Sequence, residues 1–249
     1  MMALSELLGG TWTMQAGVCE RHGKFESLGG ICEACAREEL RRDEARVQAE
    51  YAAEEVRIRR ERSGIPPRFA DAAFEDYRVD EGNREQARAL TVSQRYVGNH
   101  EASMGRGKGL LFYGGVGTGK THLAAAVANS VLARGRSVRF LTATQAVRAV
   151  KDTYNRSSEL SERQVMEGFV KPYLLVLDEL GVQAGTETEK NILLEIINDR
   201  YNAIKPMIIT SNLDLSGLEE LIGLRALDRL REVCVLLPMQ WESYRGRMV

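Results

Sequence analysis

The sequence predicts an α/β fold, a parallel sheet sandwiched by helices, preceded by a small cysteine-bearing module and a charged helix. Three observations carry this. Beyond about residue 64, short unbroken apolar runs alternate with helical runs; a glycine-rich loop joins one such run to a helix; and three of the four cysteines crowd between residues 19 and 35. Apolar runs without polar alternation are strands buried on both faces, and their alternation with helices makes the sheet parallel.

Residues 1–35 form the first expected unit. Residues 1–17 read as a short leader interrupted by Gly9, Gly10 and Gly17, and residues 18–35 hold Cys19, Cys32 and Cys35. Residues 36–63 form the second. Ala36 to Arg62 contains no Gly or Pro, and sixteen of its twenty-seven residues are charged, eight of each sign, which makes a solvated helix. Leu40, Val47, Tyr51 and Ile58 lay one narrow apolar stripe along it. That stripe fits a spacer helix or one that docks a partner or a second copy.

Ser63-Gly64-Ile65-Pro66-Pro67 ends the helix, because proline cannot continue the hydrogen-bond ladder, and opens the domain 64–249. Within it, strands are expected at Gly109–Tyr113, Ser137–Leu141, Tyr173–Leu177 and Met207–Thr210. Helices are expected at about Lys120–Ala133, Thr144–Tyr154 and Glu187–Asn202. The apolar run around Cys234 is a further buried strand, with that cysteine a packing residue.

Composition narrows the function classes. With 44% hydrophobic and 28% charged residues the chain can build a core, and 34 Lys and Arg against 35 Asp and Glu leave no chain-wide basic field. Any nucleic-acid contact must therefore be a local patch. The N-terminus lacks the basic start and continuous apolar core of a signal peptide, and no apolar run approaches the roughly 20 residues that span a bilayer. A cytoplasmic protein without membrane contact is expected.

Gly114-Gly115-Val116-Gly117-Thr118-Gly119-Lys120-Thr121, followed by His122, fits G-x-x-x-x-G-K-[ST] between an expected strand and an expected helix. Glycines let backbone N–H groups wrap phosphate oxygens, and the helix N-terminus adds its dipole. Lys120 is expected at the β- and γ-phosphates of ATP and Thr121 at Mg²⁺. The run Tyr173 to Leu177 delivers Asp178 and Glu179 to the carboxyl edge of the sheet, where ligands of open α/β sheets bind. Asp178 then completes the Mg²⁺ shell, and Glu179 orients or deprotonates the attacking water. Asn212, just past the run Met207 to Thr210, is a candidate beside the γ-phosphate. The acidic doublet favours an ATP hydrolase over a small-molecule kinase.

Cys19-x-x-His22 and Cys32-x-x-Cys35 supply four ligands in two short-spaced pairs, and Gly23, Gly29 and Gly30 allow the chain to reverse between them. Four such ligands close a tetrahedral, structural Zn²⁺ site. A segment this short builds no core, so about 10–16 kcal/mol of apparent metal-binding free energy would hold it folded.

From Arg62 to Val249 the chain resembles the AAA+ P-loop NTPases of the DnaC-like helicase loader family. The likeness rests on Arg62-Ser63-Gly64-Ile65, Phe74-Glu75-Asp76-Tyr77-Arg78-Val79, Leu177 to Gln183, Arg225 to Arg231, and Trp241-Glu242-Ser243-Tyr244-Arg245. The resemblance implies an ATPase that loads a DnaB-type hexameric helicase onto single-stranded DNA and self-associates with ATP. It implies that Arg229 is an arginine finger entering a neighbouring subunit's site, with Arg225 the second candidate, and that Arg245 contacts nucleotide within its own subunit. Arg148, Lys151 and Arg156 are basic candidates for DNA contact. The N-terminal module is expected to hold the helicase or to touch nucleic acid. The alternative within the same ATPase core is an IstB-like accessory to a transposase.

Overall fold

The computed structural model describes residues 13–181 and 185–244. The expected leader over residues 1–12, Val182 and Gln183 of the quoted motif, and Arg245 lie outside the described residues. The chain divides into two compact units between Glu55 and Val56.

The first unit opens with an antiparallel hairpin, β1 (Met14–Cys19) and β2 (Gly23–Leu28), which pairs Met14 with Leu28 and Cys19 with Gly23. Strand β1 thus starts inside the segment read as a leader. A helix of 31 residues follows, α1 (Glu33–Ser63), whose Leu40, Val47 and Tyr51 are exposed.

The last residues of α1, from Val56 to Ser63, belong to the second unit. Ser63 is fully buried, and its hydroxyl donates to the Arg60 carbonyl at 2.6 Å while accepting the Ile65 N–H at 3.2 Å. Gly64 has φ +79 and lies against the Phe140 carbonyl where a Cβ would have to sit. A side chain is excluded there on both counts.

Next come α2 (Arg84–Gly98), the single turn α3 (His100–Ser103), β3 (Gly109–Tyr113) and α4 (Lys120–Ala133). They are followed by β4 (Val138–Thr142), α5 (Ala143–Asp152), α6 (Glu162–Val170) and β5 (Leu174–Leu180). The unit closes with α7 (Glu187–Asn202), β6 (Met207–Ser211), α8 (Leu215–Val233) and β7 (Cys234–Pro238). The sheet order is β4-β5-β6-β3-β7, with every pairing parallel.

Strand periodicity sorts the core into two layers. Leu111, Leu175, Leu177 and Ile209 face one cluster with residues of α5, α6, α7 and α8, while Leu110, Phe112, Val176 and Ile208 face another with α2 and α4. Thr142, Ser161 and Thr186 each start a helix with a reciprocal capping box, which sets α5, α6 and α7 sharply. Arg200, fully buried at the end of α7, donates to the carbonyls of Phe169, Val170, Pro172, Tyr173 and Pro206. Burial lowers its pKa, and those carbonyls replace the water that the guanidinium has lost. Gly223, at φ 80, breaks α8 into two helical parts.

Candidate functional site

The glycine loop runs from the end of β3 to the start of α4, with Gly114, Gly117 and Gly119 all at positive φ. A Cβ on Gly119 would come within 2.6 Å of the Tyr77 ring, and one on Gly117 would strike Ser243. Val116 is exposed at the loop tip. Lys120 is buried, and its ammonium donates to the Gly114 carbonyl at 2.9 Å and the Gly115 carbonyl at 2.5 Å. The Thr121 hydroxyl donates to Asp178 Oδ1 at 3.0 Å. His122, in the first turn of α4, turns its ring toward the Ala73 carbonyl at 2.9 Å.

Asp178 and Glu179 lie inside β5 rather than after it, because the strand runs three residues further than expected, to Leu180. The register with β6 shifts between Leu177 and Leu180, and Glu179 sits at φ 57. Strained non-glycine backbone of this kind clusters at functional sites. The bulge leaves Asp178 buried and Glu179 exposed. Asp178 also accepts the Thr210 hydroxyl at 2.5 Å, and Thr210 Oγ1 accepts the Glu179 N–H at 3.0 Å. Burial raises the Asp178 pKa, opposed by the two hydroxyls, the Glu179 N–H and the charge of Lys120.

A cavity of about 600 Å³ brings Thr118, Lys120, Thr121, Glu179, Thr210 and Asn212 together. Its far side is formed by the segment after α1, including Phe69, Tyr77 and Arg78. Thr210, Tyr77 and Trp241 are site residues to which sequence reasoning assigned no role. Thr210 had a signal, since it immediately precedes Ser211 and Asn212 at the same strand end.

Arg229 is neither in this cavity nor freely solvated. It donates to Asn198 Oδ1 on α7, and its guanidinium lies 5.3 Å from the centre of the Tyr201 ring. Arg225 is exposed on the same helix, and Arg231 pairs with Asp228 at 3.7 Å. Of the basic DNA candidates, Lys151 is engaged by Glu189 at 2.8 Å, whereas Arg148 and Arg156 are exposed.

In the first unit, Cys19, His22, Cys32 and Cys35 converge with all four ligand atoms within 4.8 Å of one another. His22 Nδ1 lies 3.6, 3.7 and 3.4 Å from the sulfurs of Cys19, Cys32 and Cys35, and the Cys19 and Cys35 sulfurs are 3.4 Å apart. A tetrahedron with metal–sulfur bonds of about 2.3 Å has edges of about 3.8 Å, so the set fits Zn²⁺. The N–H groups of Arg21 and His22 pull the Cys19 thiol down to about 6, and its neighbour Cys19 pushes Cys35 up to about 11. The other His22 nitrogen, Nε2, donates to Glu38 Oε1 at 3.0 Å. Among the described residues no helix is long and apolar enough to cross a membrane.

A parallel sheet in this order, with a phosphate loop after its inner strand β3 and acids on β5, is that of an AAA+ ATP-binding domain. Residues 71–248 match the family model described as IstB-like ATP binding protein. The replicative helicase loader DnaC of Escherichia coli (strain K12) is 38% identical over 189 residues, 75% of this chain and 74% of that protein. DnaC of Buchnera aphidicola is 32% identical over the same shares. The crystal structure of the DnaC helicase loader superposes with a TM-score of 0.62 at 27% identity, covering 70% of this chain and 99% of that one. The chain belongs to the IstB/DnaC-like family of ATP-binding proteins.

Proposed function

We propose that the protein is a helicase loader that hydrolyses ATP. In this reading it places a DnaB-type hexameric replicative helicase on single-stranded DNA and self-associates so that each ATP lies at a subunit boundary. The observation that carries the reading is the combination of 38% identity to a replicative helicase loader with a nucleotide site whose parts converge on one cavity.

Each side chain has a task in this mechanism. Lys120 exchanges two carbonyl acceptors for the β- and γ-phosphates of ATP. Thr121 and Asp178 would hold Mg²⁺, which supplies positive charge against the phosphates when bound. Glu179, exposed at the strand bulge, takes the proton of the attacking water, and Asn212 orients that water. Arg229, supplied by a neighbouring subunit, offsets charge on the transferred phosphoryl and so times hydrolysis to assembly. Cys19, His22, Cys32 and Cys35 would hold a structural Zn²⁺ that folds the N-terminal unit, the part we assign to helicase docking.

Native mass spectrometry of the zinc-loaded protein with a DnaB-type helicase in Mg·ATP tests this reading. A helicase hexamer carrying several copies of this chain, lost when residues 1–62 are removed, is the expected result. Absence of any complex would instead favour the IstB-like role beside a transposase.

A further inference from the structure

We infer that Tyr77 and Trp241 are paired positioning residues that aim the phosphate loop by gripping it from behind. The inference deepens the ATP-site reading and rests on it. Three loop carbonyls are tied to donors, two of them from within the loop and its helix and three from elsewhere in the chain. The Gly115 carbonyl accepts the Thr118 hydroxyl at 3.0 Å as well as Lys120, and the Gly117 carbonyl accepts the Tyr244 N–H at 3.0 Å. The Thr118 carbonyl accepts two aromatic donors at once, the Tyr77 hydroxyl at 3.2 Å and the Trp241 indole N–H at 3.1 Å.

A planar trans peptide points its N–H opposite to its C=O. Fixing the Gly117 carbonyl therefore fixes the direction of the Thr118 N–H. Fixing the Thr118 carbonyl likewise turns the Gly119 N–H away from both aromatic rings. Successive N–H groups held to one side form a nest for an anion. Gly119 has φ +91 and no side chain to resist rotation of that peptide, so its orientation depends on partners from elsewhere in the chain. The two partners come from opposite ends of the ATPase unit. Tyr77 precedes α2, whereas Trp241 follows β7 in a strap that also takes the Gly115 N–H on the Met239 carbonyl at 2.9 Å. Tyr77 belongs to the buried core layer that includes α4, and the partly buried Trp241 packs against that layer, which anchors both.

Two donors on one oxygen are redundant, and that gives the inference a signature. Tyr77→Phe removes one hydrogen bond and keeps the ring, and Trp241→Phe removes the other and keeps an aromatic, though smaller, side chain. Each should weaken MgADP binding by about 2–10-fold, the usual worth of a neutral hydrogen bond. The double variant frees the peptide and should lose more than the product of the two single losses. Titration calorimetry of the full chain measures these affinities, and thermal melting without nucleotide reports folding separately. A role in folding alone would lower the melting temperature of the double variant and leave its MgADP affinity intact. That result, or a double loss equal to the product of the singles, overturns the clamp. Failure of the wild-type protein to bind MgADP overturns the ATP-site reading and the clamp with it.

Discussion

Thr210 donates its hydroxyl to Asp178 Oδ1 at 2.5 Å, and the same Thr210 oxygen receives the backbone N–H of Glu179 at 3.0 Å. One threonine on β6 thus holds both the Asp178 carboxylate and the backbone of Glu179 on β5. The arrangement keeps a carboxylate in a nearly dry place, and burial raises its pKa. The folded protein therefore binds the Asp178 proton more readily than the unfolded chain does. The charged carboxylate costs stability above its folded pKa, and the cost is relieved as pH falls through that value. Asp178→Asn is expected to raise the melting temperature of the nucleotide-free protein at neutral pH. The gain should shrink as pH drops through the carboxylate range, and calorimetry across pH checks it. A gain independent of pH would contradict burial as its origin.

Glu179 makes a cleaner probe of chemistry, because its side chain is exposed at the bulge and anchors nothing in the core. Glu179→Gln should bind Mg·ATP as the wild type does and turn it over about 10²–10⁴-fold more slowly, the range for losing a positioned base. Single-turnover assays beside equilibrium binding would separate the two effects. Unchanged turnover would remove Glu179 from the mechanism.

Arg229 is held by Asn198 and the Tyr201 ring, so its position is defined before any neighbour arrives. Arg229→Ala should slow hydrolysis in the assembly by about 10³–10⁵-fold while leaving ATP binding intact. Mixing Arg229→Ala with Glu179→Gln protein is the decisive check. A mixed assembly contains boundaries with an intact Glu179 on one side and an intact Arg229 on the other, and activity should partly return. No recovery on mixing would place the finger elsewhere, with Arg225 next in line.

Glu38 governs which His22 nitrogen faces the sulfurs. By accepting Nε2–H at 3.0 Å it leaves Nδ1 turned to the three sulfurs, and Arg21 holds the same carboxylate at 3.3 Å. Glu38→Ala should weaken Zn²⁺ binding by about 10–100-fold, as loss of a supporting hydrogen bond does in other metal sites. Competition against a chromophoric chelator measures it, and an unchanged affinity would assign Glu38 to the surface.

Legibility from sequence followed the strength of local patterns. Helices α4 and α7 run over the expected residues, because Lys120 follows a glycine loop and Thr186 starts α7 with a capping box. Strand β5 runs past its expected end at Leu177: a charged pair looks like the end of an apolar run, and nothing local reveals a bulge that pairs Leu180 with Ser211. Hairpin β1–β2 escaped because Met14–Cys19 and Gly23–Leu28 mix polar, glycine and apolar residues without a regular period, and its pairing closes beside the cysteine cluster. The motif loop was readable residue by residue. Its supports were not, since Tyr77 and Trp241 meet Thr118 from positions distant in sequence. Arg229 was legible as a candidate, but its hold on Asn198 depends on the packing of α7 against α8.

Strand β3 carries the phosphate loop, yet its two neighbours in the sheet are β6 and β7, with Leu110 beside Ile208 on one side and Val235 on the other. During synthesis the loop therefore leaves the ribosome long before either flank of its strand exists. Contacts between residues so far apart in sequence form late. A nascent chain stalled before β6 would hold every residue of the glycine motif and still lack the sheet that shapes it, so nucleotide affinity should emerge only as the last strands of the domain are made.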